Sequence, residues 1–97
     1  MTVIRHVCAG HEYRFDTITG QVRNNYGTVR SVLMFHMFTP TTCPYIASLY
    51  PANEDGTANT RSAGSAGVAV IRSATLIGDD ALAEFAIGQT AAHFPER

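Results

Sequence analysis

Alternation of apolar and polar positions, broken by glycine and proline, divides the chain into five or six extended segments followed by one helical segment. Thr2 to Cys8 (TVIRHVC) is short and rich in β-branched residues and is broken by Ala9-Gly10, which predicts a first strand. His11 to Phe15 alternates Tyr13 and Phe15 against Glu12 and Arg14. Asp16-Thr17-Ile18-Thr19-Gly20 then offers an aspartate able to bond its own backbone and a glycine for positive φ, the chemistry of a hairpin turn. Gln21 to Arg23 is the return strand and Asn24-Asn25-Tyr26-Gly27 a second turn, so a meander follows.

The longest apolar segment is Thr28 to Phe38. Val29, Leu33, Phe35 and Met37 share one parity there, and Val32, Met34 and Phe38 the other. Apolar residues of both parities predict either a central strand covered on both faces or one face buried in an oligomer. On the second reading the chain forms a symmetric homodimer with Val32, Met34 and Phe38 lining the contact. Pro40 and Pro44 interrupt any ladder beyond this segment, since each lacks an N–H. Tyr45 to Tyr50 fits either a strand or a short helix with Pro44 at its first position.

Residues 51 to 66 (PANEDGTANTRSAGSA) hold no large apolar side chain, so they are expected to stay out of the core as a flexible or partner-ordered loop. Gly67 to Ile77 resumes as a strand. Asp79 and Asp80 then stand where a helix N-terminus favours negative charge, ahead of Leu82, Phe85, Ala86 and Gln89 at helical spacing; Gly88 either ends this helix early or weakens it. The expected architecture is one α+β domain over residues 1–97. It has a mostly antiparallel sheet of five or six strands with one C-terminal helix packed on one face.

Composition fits that picture. At 97 residues, 45% hydrophobic, 15% charged and a net charge of −1, the chain has room for one core and belongs with globular rather than disordered proteins. No stretch reaches the length of a membrane helix and the N-terminus carries Arg5 and His6, so a cytoplasmic location without membrane contact is expected. All seven basic residues are arginine, and the first half carries net +2 against −3 in the second. That asymmetry is too mild for a dedicated nucleic-acid binder, so nucleic acid is not the expected partner. Interleaved Tyr13-Arg14-Phe15 would suit stacked bases, yet two aromatics of one parity are first of all core.

Two constellations carry chemistry. His6-x-Cys8-x-x-His11-Glu12 puts His6 and Cys8 on one strand face with His11 returned by a turn. It lacks the paired spacing of zinc sites, so no metal and no cofactor is expected. His36, within the apolar segment, is a candidate base. The second is Thr42-Cys43-Pro44-Tyr45 after an apolar strand, with Ile77-Gly78-Asp79-Asp80-Ala81-Leu82 further on. These residues resemble the active-site stretch and a helix start of glutaredoxins. The resemblance implies a thiolate at Cys43 activated by a helix N-terminus. Ile46 stands where that family has its second cysteine, so only monothiol chemistry would follow, and nothing in 51–77 matches the family's Thr-Val-Pro segment.

The function expected is that of a small non-enzymatic protein-binding module. Regulators and inhibitors of phages and other mobile elements, anti-CRISPR proteins among them, are chains of this type, although no sequence match links them to this one. The binding residues expected are Glu54, Asp55, Asp79, Asp80 and Glu84, which would form an acidic patch for a partner protein with a basic surface if the 51–66 loop folds beside the helix start. A small thiol-dependent enzyme or ligand binder using Cys43 and His36 is the alternative, and an arginine-mediated nucleic-acid binder the third.

Overall fold

The computed structural model describes residues 3–35, 45–63 and 67–96. Six strands, β1 (Val3–Cys8), β2 (His11–Asp16), β3 (Gln21–Arg23), β4 (Val29–Phe35), β5 (Tyr45–Pro51) and β6 (Ala69–Ser73), form one antiparallel sheet in the order β1-β2-β3-β4-β5-β6. A single helical turn, α1 (Thr60–Ala63), lies between β5 and β6, and the C-terminal helix α2 (Asp79–His93) follows β6. The α+β architecture expected from the pattern is therefore the one observed, as an uninterrupted meander of a curled sheet. The turns fall at Gly10, Gly20 and Gly27, all at positive φ.

The 45–50 segment is a strand, not a helix. Its backbone finds partners on both sides, Phe35↔Ala47 and Leu33↔Leu49 toward β4, Ala47↔Ile71 and Leu49↔Ala69 toward β6, and that pairing overrides the helix-start signal of Pro44. With no helix after Cys43, the dipole that would activate its thiol is missing, and the resemblance to glutaredoxins loses its physical basis. His36, Phe38 and Cys43 themselves lie outside the described residues.

The core is built between one face of the sheet and α2. Register places Tyr13 and Phe15 of β2, Val22 of β3, Leu33 of β4 and Ala47 and Leu49 of β5 on that face, all buried. Leu82, Ala83, Ala86, Ile87 and Ala91 face them from α2, a stripe recurring every three to four residues. Three alanines in that stripe let the helix sit close to the strands. Gly88 neither ends nor breaks it, because the helix continues to His93 and closes with Phe94 N–H donating to Thr90 O at 2.8 Å. One polar link crosses the core: the Ser31 and Thr90 hydroxyls are 2.6 Å apart, and Thr90 Oγ1 also donates to Ala86 O. With Thr90 donating to Ala86, Ser31 is the donor to Thr90.

Two glycines fix how loops meet strands. Gly20 (φ +78°) accepts from Leu33 N–H at 2.8 Å, and a Cβ there would run into the Leu33 carbonyl. Gly67 (φ +71°) stands in the same relation to the Leu49 carbonyl, which accepts from Val68 N–H. Only glycine fits both the dihedral and the close approach.

Much of the 51–66 stretch carries its own structure. Ala52 and Ala58 form an antiparallel bridge, Asn53 N–H donates to Thr57 O at 2.8 Å and Asn59 N–H to Pro51 O at 2.7 Å, so β5 continues into a tight turn before α1. Gln21 Nε2 ties this turn to β3 through Gly56 O at 3.0 Å. Backbone and polar bonds shape the segment, where burial of large side chains has no material to work with.

Candidate functional site

The strands run between two differently built ends. At one, β4 begins at the Asn24–Thr28 turn, β5 runs into the 53–57 turn, and α2 finishes. This end is polar. A bulge between Val22 and Arg23 leaves Arg30 unpaired, and its side chain reaches the C-terminal tail. Its Nε forms an ion pair with Glu96 Oε2 at 2.9 Å, and its Nη2 donates to Phe94 O at 3.3 Å. Asn24 Nδ2 donates to the other Glu96 oxygen at 2.6 Å, while Asn24 Oδ1 accepts from the N–H groups of Tyr26 and Thr28. Beneath them Tyr13 is fully buried, and its phenol pKa is raised, first by loss of solvent and then by the Glu96 charge, against the opposing Arg30.

A cleft of about 540 Å³ opens beside this cluster, lined by Gln21, Arg23, Val29 and Arg30 on one wall and Asn53, Glu54 and Asp55 on the other. Arg23 is held in place by the Gly27 carbonyl at 2.8 Å and by Gln21. Asp55 Oδ1 accepts from Thr57 N–H at 3.0 Å and from Thr57 Oγ1 at 2.6 Å, which lowers its carboxyl pKa.

Asp79 and Asp80 sit elsewhere, lining a separate cleft with Val3, Ile4 and Arg5 at the start of β1, and Glu84 is exposed one turn further along α2. Val3 pairs with Asp16, so this cleft is near the end of the strands opposite to Glu54 and Asp55. The five carboxylates therefore do not assemble into one patch. The 51–59 segment extends β5 away from the helix start, because the antiparallel bridge continues the strand direction beyond Pro51.

Apart from the Asp79–Asp80 cleft, the other end of the sheet carries an apolar corner. The Asp16–Gly20 turn brings Ile18 beside the end of β4, where Ile18, Met34 and Phe35 surround a cavity of about 240 Å³ floored by the core residues Phe15 and Leu33. Ile18 is 76% exposed, Phe35 54% and Met34 42%. Of the expected dimer contact, Met34 is thus open to solvent, whereas Val32 is 6% exposed. The 53–57 turn is bonded to Gln21, the cross-strand neighbour of Val32, and Val32 itself is buried, so it has little surface to offer. Ile18 and Phe35 are the residues that pattern reading misses. A large β-branched side chain inside a five-residue turn has no strand face to be buried on, and that is the signal.

His6, Cys8 and His11 do share the helix-side face of the first hairpin, with Cys8 paired to His11 and His6 to Tyr13. Even so, among the described residues no group of three or more His, Cys, Asp or Glu is placed to hold a metal ion. Tyr13 and Phe15 are core, and Arg14 points to the other face beside Glu12 at 3.6 Å. Among the described residues, no helix is long and apolar enough to cross a membrane. Comparison of the chain with protein families, with curated proteins and with solved structures finds no match.

Proposed function

We propose that this chain is a non-enzymatic protein-binding module that acts in the cytoplasm as a regulator or inhibitor, and that it meets its partner through the apolar end of the sheet. One observation carries the reading: Ile18, Met34 and Phe35, from two separate segments, are held exposed around one cavity whose floor is the core itself. Large apolar side chains gathered on a surface mark contact sites, whereas isolated ones do not. A hollow floored by Phe15 and Leu33 suits an apolar side chain inserted by a partner, the geometry in which interface side chains contribute most. Rigidity supports it, since the turn bearing Ile18 is fixed by Asp16 Oδ1, which accepts from the N–H groups of Ile18 and Thr19 at 2.8 and 3.1 Å, and by the Gly20–Leu33 bond.

The test compares the natural chain with an Ile18→Ser/Phe35→Ser variant as baits in an extract of the native cell, with captured proteins identified by mass spectrometry. A protein retained by the natural chain and lost by the folded variant is the expected result. Identical capture by both would place recognition elsewhere.

A further inference from the structure

We propose that two copies of the chain join edge to edge along β6, continuing the antiparallel sheet across a two-fold axis at Ile71. The inference goes beyond the apolar-end reading and does not depend on it. The meander is open, and among the described residues β6 is paired on one side only, to β5. Alternate residues of such a strand turn their N–H and C=O groups outward, a ready template for another strand. Proteins usually blunt an edge with proline, charged side chains or a bulge, and Ala69-Val70-Ile71-Arg72-Ser73 has no proline and no bulge in five residues of regular register, with Arg72 as its one charge.

The identity of the occupant follows from position and register. At the opposite edge, β1 is covered by α2, and the start of β1 shares a cleft with Asp79 and Asp80, so two copies meeting there would bring like charges together. α2 makes its main contacts with β1 to β4, toward the other side of the sheet from β6. In a symmetric antiparallel pair, directly opposed side chains point to the same face, so only residues of equal parity can oppose one another. Centring on Ile71 sets Ile71 against Ile71, Val70 against Arg72 and Ala69 against Ser73, and all five residues are paired. Sliding to centre on Arg72 opposes the two arginines, and sliding to centre on Val70 carries the ladder onto Gly67 at φ +71°. One register is free of both faults, and the strand is complementary to itself.

Sedimentation equilibrium of the full chain from about 1 to 100 μM tests this, with circular dichroism confirming that each variant is folded. A monomer–dimer equilibrium is expected. Val70→Glu places a carboxylate opposite Arg72 of the second copy, twice per dimer, and tightens association; Val70→Lys opposes two cations there and weakens it. Each shift is on the order of two- to thirty-fold in Kd. The double variant Val70→Lys/Arg72→Glu restores dimerisation by reversing the pair. A monomer throughout overturns the proposal, as does a response of the same sign to Val70→Glu and Val70→Lys. Growth beyond the dimer also overturns it, because that would mean β6 joining β1 head to tail.

Discussion

The two ends of the sheet use opposite means to terminate the same strands. At the polar end Glu96 receives Arg30 and Asn24, and Asn24 in turn caps the turn at Tyr26 and Thr28. At the apolar end Ile18, Met34 and Phe35 project past the core and touch solvent. Paired polar groups at a half-buried site stabilise the fold because removing one strands the others. Exposed apolar groups contribute little to the fold, since they gain nothing from water exclusion until something covers them. The difference separates what holds this molecule together from what it offers outward.

The sharpest way to break that comparison is a pair of single substitutions. Glu96→Ala removes the carboxylate that Arg30 and Asn24 share and is expected to lower stability by about 1–3 kcal/mol. Phe35→Ser, at a site 54% exposed, is expected to stay within about 0.5 kcal/mol of the natural chain. Urea midpoints at equal slope measure both. Equal losses would mean that the apolar end belongs to the core and is no contact surface.

A smaller effect comes from Tyr13, under the polar cluster. Its raised pKa reflects burial first and the Glu96 charge second. A phenol whose folded value lies above its unfolded value contributes fully below about pH 10, and that contribution is lost as pH rises through the folded value. Stability should therefore fall on the alkaline side of pH 10, and Tyr13→Phe should flatten the fall. Denaturation midpoints taken across that range decide it: the same pH dependence in Tyr13→Phe would show that Tyr13 does not couple ionisation to folding.

How far the sequence carries can be judged residue by residue. Alternation in His11–Phe15 and glycines at the turns make the meander and its buried face legible, because strand parity and positive φ are local properties. Tyr45–Pro51 is ambiguous alone, and what decides it is pairing with β4 and β6, which only the assembled sheet supplies. Site geometry is the least legible. Asn24 and Glu96 are 72 positions apart, and the bulge that releases Arg30 has no signature in the residues around it. The acidic residues fail as a patch for the same reason, since equal charge in two segments says nothing of which end of a strand each segment occupies.

The smallest expected effect lies in the 53–57 turn, where the polar end is held by hydrogen bonds without any large apolar side chain. Asp55 is the pivot, accepting twice from Thr57, and its pKa is lowered first by the hydroxyl bond and then by the backbone one. A carboxyl lowered on folding contributes above its ordinary value of about 4, and that contribution disappears as pH falls through the folded value. The turn should thus be unaffected at neutral pH and loosen only in acid. Because the carboxylate is exposed and nothing apolar rests on it, the loss should stay local. In an NMR titration the Thr57 amide resonance should move with Asp55 protonation, at a midpoint below the ordinary aspartate value, while the amides of Phe15 and Leu49 stay fixed. Asp55→Ala should abolish the movement at Thr57 and speed hydrogen exchange at Asn53, which is exposed and lacks the burial that protects core strands. A midpoint at or above the ordinary value, or a coupled response in Phe15 and Leu49, would show that this turn is joined to the core by more than the Gln21–Gly56 bond.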